Sequence, residues 1–182
     1  MRRGMIAVLG LAIVLAVPSL VLGAGGGIGI QGIGGQVSFV KPEDIDGTFG
    51  LGMHADLGEI GGGVGLFPSV TFWRKSWEES LFGEKWDTTF TEIATNADAR
   101  YYFLGYDTGT MRPFVGGGLA LIYSSVSCDD FDDSDMDVGI NILGGADFDI
   151  SDSMIGFFEA RYKIDGADVL KLTGGVTFLM GG

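Results

Sequence analysis

The sequence predicts an all-β chain: eight antiparallel strands in an up-and-down transmembrane β-barrel, apolar face outward, preceded by a cleavable signal peptide. Three observations predict it. The last residues alternate, with Leu172, Val176, Phe178 and Met180 on one parity and Lys171, Thr173, Gly175 and Thr177 on the other; Gly174 interrupts the apolar parity without reversing it. A strand with one greasy face at the end of the chain is what a membrane barrel needs to close on itself. At the other end, Arg2 and Arg3 precede a nearly unbroken apolar run from Met5 to Leu22, followed by Gly23, Ala24 and more glycines. Finally, mean hydropathy is positive, yet no later apolar run is long enough for a membrane helix. A barrel reconciles the two, because its lipid face is spread over alternate residues.

A basic start, an apolar middle and a small-residue exit describe an export leader. Cleavage near Gly23 or Ala24 makes 1–24 the signal peptide and 25–182 a single outer-membrane barrel domain. Pro18 and the glycines after it argue against an uncleaved helix, and no Cys marks a lipoprotein exit. Cys128 is the sole cysteine, which excludes an internal disulfide framework. The formal net charge of -13 leaves no electrostatic footprint for nucleic acid.

The first strand is expected over 29–40, with Ile33, Val37 and Phe39 opposite Gly34, Gln36 and Ser38. The second, 48–57, alternates most cleanly: Phe49, Leu51, Met53, Ala55 and Leu57 against Gly50, Gly52, His54 and Asp56. In the third, 63–73, Leu66, Val70 and Phe72 oppose Phe67, Ser69, Thr71 and Trp73; Pro68 removes a ladder hydrogen bond, so a bulge or local opening is expected there. The fourth, 91–103, sets Ile93, Ala97, Ala99, Tyr101 and Phe103 against Glu92, Asn96, Asp98, Arg100 and Tyr102. The fifth, 113–124, sets Val115, Leu119, Leu121 and Tyr123 against Gly116, Gly118 and Ala120. The sixth, 138–150, sets Ile140, Ile142, Ala146, Phe148 and Ile150 against Asn141, Gly145, Asp147 and Asp149. The seventh, 155–164, sets Phe158, Ala160, Tyr162 and Ile164 against Glu159, Arg161 and Lys163. The eighth is the terminal strand. Each segment is near the roughly 9–11 residues a tilted strand needs to cross a bilayer.

Connections should alternate between short turns and longer loops. Short turns are expected at 58–62, 104–112 and 151–154, and the longest loops at 74–90 and 126–137. With both termini periplasmic, the longer loops face outward. Aromatic residues cluster near strand ends on the apolar parity (Phe39, Phe72, Tyr101, Phe103, Tyr123, Tyr162, Phe178), as in the girdles of membrane barrels. Trp73, Trp77 and Trp86, with Lys75 and Lys85, read as a membrane-interface belt, the rival being a recognition surface.

The terminal pattern of Thr173, Gly175, Phe178 and Met180 resembles the C-terminal assembly signal of bacterial outer-membrane proteins. From about Gly29 to Met180, the chain resembles the small eight-stranded outer-membrane barrels of the OmpA-like, OmpX-like and OmpW-like group. Arg112-Pro113-Phe114-Val115-Gly116-Gly117-Gly118-Leu119 and Gly174-Gly175-Val176-Thr177-Phe178 read like that family's strand starts and ends.

The acidic run 129–137 holds the one candidate cation site. Asp133, Asp135 and Asp137 have calcium-loop spacing, but Val138 and Gly144 stand where an EF-hand has its Gly and Glu. The run is read as a solvated loop, with weak Ca²⁺ or Mg²⁺ binding through Asp132, Asp133 and Asp135 as the sharper alternative. His54 is the only histidine, so a multi-histidine metal site is impossible; it is expected to hydrogen-bond in the interior. No nucleophile elbow or P-loop is present, and no enzyme is expected. The inward parity collects Glu92, Asp98, Arg100, Asp147, Asp149, Glu159, Arg161, Lys163 and Lys171. In a narrow, low-dielectric bore such charges should pair; a tight turn lets Arg161 meet Asp147, and Arg100 is within reach of Asp98 or of an acid on a neighbouring strand.

The expected protein is a monomeric structural or surface-exposed barrel in the outer membrane of a diderm bacterium, its interior plugged. Its expected partners are membrane lipid, lipopolysaccharide and the outer-membrane assembly machinery, with no cofactor. The alternatives are a conduit for small or hydrophobic molecules, as the OmpW-like resemblance implies, and a soluble periplasmic barrel for a lipophilic ligand.

Overall fold

A computed structural model describes residues 28–43, 46–81, 84–103, 110–128, 131–164 and 168–180. The leader expected at 1–24 lies outside the described residues. The strands are β1 (Gly32–Pro42), β2 (Thr48–Asp56), β3 (Glu59–Gly61), β4 (Val64–Leu81), β5 (Glu84–Tyr102), β6 (Met111–Cys128), β7 (Phe131–Ser151), β8 (Met154–Ile164) and β9 (Val169–Leu179). All pairs are antiparallel. β1 pairs with β9, and β2 pairs with β4, so the sheet closes on itself and leaves no edge around its waist. β2 and β3 are two pieces of one stave interrupted at Leu57-Gly58, which gives a closed eight-stranded barrel.

Period-2 alternation decides which side each residue takes. Val37, Phe49, Leu51, Met53, Leu119, Ile140, Ile142 and Phe158 are exposed on the outer face, while Gln36, Ser38, His54, Ser69, Thr71 and Asn96 are buried inside. Val37 is 52% exposed and its neighbour Ser38 3%, so the barrel is inside out relative to a soluble one. The narrow bore asks for glycine on the inner wall: a Cβ at Gly34 would overlap the Val176 carbonyl and the His54 ring.

Two expectations about shape are corrected, and a third is met on one side of its strand. Leu57 belongs to the interior, 5% exposed, rather than to the outer face of the second strand. The cause is an irregularity. Leu57 donates to the Leu66 carbonyl while Leu66 donates to Gly58, so two residues answer one, and Gly58 takes φ 79, which favours glycine. The segments 74–90 and 126–137 are not long loops. β4 and β5 stay in register to Leu81↔Glu84, and β6 and β7 to Cys128↔Phe131. Four strands thus continue past their neighbours as a protruding sheet, and the acidic run from Asp132 to Asp137 is part of β7. At Pro68 no bulge interrupts pairing with β5, where Pro68↔Ala97 holds register. The opening is on the other side: the β2–β4 ladder runs from Gly50↔Trp73 to His54↔Ser69 and stops one residue short of Pro68, which has no N–H to offer.

Candidate functional site: the charged bore

Inward parity brings the charged residues of β5, β7, β8 and β9 onto one axis. At the end where the chain terminates, Arg100 lies flat on aromatic rings, its Cζ 3.5 Å from the Phe67 centroid and 4.3 Å from that of Phe114. His54 stacks on Phe67 at 4.7 Å and meets Phe157 edge-on at 5.1 Å, and its Nε2 is 2.8 Å from the Thr177 hydroxyl. A guanidinium spread over apolar rings keeps its charge while excluding bulk water.

Most of the ion pairs cross the bore rather than run along one wall. Arg100 on β5 donates to Glu159 on β8 at 2.7 Å, and its other nitrogen lies 3.6 Å from Asp147 on β7. Arg161 on β8 holds Asp98 on β5 at 2.8 Å and donates through Nε to Glu159 at 2.9 Å. Asn141 on β7 donates to Asp98 at 2.9 Å and to Asn96 at 3.1 Å. One layer further, Lys163 and Lys171 both donate to Glu92, at 2.9 and 3.2 Å. Above them Trp73, Val40 and Val169 form a buried apolar cluster, with Phe90 stacked on Trp73 at 5.0 Å. Charged bonds between staves that are not neighbours act as struts, and each carboxylate shared by two cations is well compensated.

The structure places Glu92, Asp98, Arg100, Asp147, Glu159, Arg161, Lys163 and Lys171 inside the barrel. Asp149 shares their parity but is exposed, because it lies at the turn into β8 where the bore ends. The expected Arg161–Asp147 pair is replaced. Arg161 reaches across to Asp98 and also holds Glu159 on its own strand, and Asp147 takes Arg100, the Tyr102 hydroxyl at 3.0 Å and, at its mouth, Arg112 at 3.8 Å. Trp73 is 2% exposed and caps the bore, so it is no part of an interface belt. Trp77 is half-buried; the side chains of Trp86 and Lys85 lie outside the described residues. Asn96, Asn141 and Thr177 entered the network without being singled out in the sequence; their inward parity was the available signal.

The acidic residues show no cage. Asp132 accepts from Ser127, and among the described residues no three His, Cys, Asp or Glu side chains converge on a metal-sized site.

No family model and no curated protein matches this chain. Solved structures do. Neisserial surface protein A superposes with a TM-score of 0.63 at 18% identity, over 82% of this chain and 96% of its own. Ail, the attachment invasion locus protein of Yersinia pestis, crystallised with the heparin analogue sucrose octasulfate, gives 0.57 at 16% identity, over 82% and 95%. The N-terminal β-barrel domain of Pseudomonas aeruginosa OprF gives 0.55 at 16%, over 84% and 99%. The chain has the fold of the small eight-stranded outer-membrane β-barrels.

In this outer-membrane barrel fold, β9 is the closing strand, and the residues of the assembly pattern divide between its faces. Thr173 points inward to the Ser38 hydroxyl at 2.8 Å, and Gly175 leaves room for the Phe157 ring. Phe178 faces outward, paired with Ile33 and Met154, and Met180 follows the strand with its N–H on the Gln31 carbonyl at 2.7 Å. Phe178→Asp puts a carboxylate on the lipid face near the rim, costing up to a few kcal/mol depending on depth. The expected result is loss of outer-membrane accumulation, read by membrane fractionation and the heat-dependent gel shift of folded barrels. Normal levels of folded variant would show that Phe178 has no part in assembly.

Proposed function

We propose that this protein is a plugged, surface-exposed structural barrel of the outer membrane of a diderm bacterium, exported by its leader and carrying the protruding sheet outward. The observation that carries the reading is the cross-bore network, closed by Arg100 on Phe67 and Phe114 at one end and by Trp73 and Val40 at the other. Eight strands leave an interior that side chains fill, and paired charges held by each other leave little for passing ions to bind. Lipid, lipopolysaccharide and the assembly machinery are its partners in this reading, and no catalytic role is assigned. Planar bilayer recording is the test. The refolded protein is expected to give no stable, large ohmic conductance; a reproducible porin-like channel would overturn the plugged reading and promote transport.

One observation favours a second reading, passage of small hydrophobic molecules through the wall. The β2–β4 ladder stops at His54↔Ser69 beside Pro68, and Phe67 and Phe157 lie behind it. Such a lateral route needs no axial water path. Uptake of a fluorescent fatty acid by proteoliposomes, lost on cross-linking β2 to β4, would support it.

A further inference from the structure

The protruding sheet has two margins. Asp149 donates its N–H to the Thr110 carbonyl at 3.3 Å, which sets the odd-numbered residues of β7 toward β6. The register is unbroken to Cys128↔Phe131, so the even-numbered residues point their N–H and C=O groups the other way. β8 takes those groups as far as Ile140↔Ile164 and then ends. Beyond it, Ser134, Met136 and Val138 face no strand among the described residues. A row of free backbone groups on a flat strand is a template for another chain.

Two of these N–H groups are already taken. Ser134 donates to Oδ1 of Asp133 at 2.9 Å, and Met136 donates to Oδ1 of Asp135 at 2.8 Å. The residue before each free amide supplies its acceptor, and the pattern repeats with the strand period. At the opposite margin the even-numbered residues of β4 turn their backbone groups away from β5, and there the Arg74 carbonyl accepts from the Thr48 hydroxyl at 3.1 Å.

We propose that Asp133 and Asp135 close the free edge of the protruding sheet against strand addition by a second copy of this chain, by capturing the amides such a strand would use. The acidic run is then an edge guard that keeps a long hairpin in single copy on a crowded surface. Its charge adds to the effect, since a second copy brings the same carboxylates.

The test compares two double variants in detergent micelles, each refolded and checked for the heat-dependent gel shift. In Asp133→Ala/Asp135→Ala both acceptors are gone. In Asp133→Asn/Asp135→Asn an acceptor oxygen remains and the charge is removed. Amide exchange at Ser134 and Met136 is read by NMR, and association by analytical ultracentrifugation. A hydrogen bond to a charged group is worth on the order of a tenfold change or more in such an opening equilibrium. The alanine pair is expected to exchange about tenfold faster at both amides and to associate with rising concentration, while the asparagine pair stays monomeric. Parental exchange rates or a monomeric alanine pair at every concentration overturns the proposal, as does an asparagine pair that associates as readily as the alanine pair. If the alanine pair does not fold, Asp135→Ala alone is read at Met136 by the same criteria.

Discussion

Arg161→Ala is expected to lower the barrel's unfolding free energy by about 3–5 kcal/mol, the range for removing one partner of a buried ion pair. The side chain is 6% exposed and holds Asp98 and Glu159, both at 2.8 Å, so its loss leaves two carboxylates deep in the bore with less compensation. Asn141 still donates to Asp98, and Arg100 still donates to Glu159, which limits the damage but does not replace a shared guanidinium. Urea unfolding in phospholipid vesicles, followed through the buried Trp73, measures it. Adding Asp98→Asn should recover part of the loss, because the stranded charge is the cost. Arg112→Ala is the control: its side chain is 41% exposed and 3.8 Å from Asp147, so its removal should cost less than about 1 kcal/mol. Equal losses for the two arginines would show that the bore is wet and its pairs screened.

Val37→Arg is the second large effect. Val37 lies midway along β1, outward, between Leu51 on β2 and Gly174 on β9. A cation on the lipid face costs about 2–4 kcal/mol at the bilayer midplane and much less near the interfaces. The variant should therefore unfold at lower urea in vesicles. The same substitution on the exterior of a soluble periplasmic barrel would be nearly neutral, so unchanged stability would count for that alternative.

Much of this architecture was legible because lipid enforces period 2 more strictly than water does. Each outward residue meets hydrocarbon, so Phe49, Leu51 and Met53 could not have been anything but apolar, and their neighbours were assigned inward by counting. The interior charges of β5 and β8 followed from the same count. What failed, failed for local reasons. Leu57 lies within the irregularity it forms with Gly58, where the count slips by one, and nothing in Asp56-Leu57-Gly58-Glu59 marks the slip except the glycine. Trp73 looked like an interface residue by type, but its parity with Phe67 and Thr71 already placed it inside, and parity outranks residue preference. The protruding strands were invisible for a different reason. Above the membrane both faces are wet, so Ser124 to Cys128 and Asp132 to Asp137 carry no hydrophobic alternation and read as loop, although backbone pairing continues through them. The partners of Arg161 were also out of reach: turn geometry predicts neighbours on adjacent strands, whereas the bond to Asp98 spans the bore.

In the proposed plug, the buried charges also set how the barrel answers a voltage. Among the described residues they comprise four bases, Arg100, Arg161, Lys163 and Lys171, against four acids, Glu92, Asp98, Asp147 and Glu159. An elementary charge carried across a membrane gains about 2.3 kcal/mol per 100 mV, so a plug with net charge would be pushed toward one mouth by an applied voltage. Here the pull on the bases is met by an opposite pull on the acids bonded to them. On the proposed plugged reading the field strains the struts without driving them along the axis, and the barrel is expected to act to first order as an electrical insulator rather than as a valve that voltage can open.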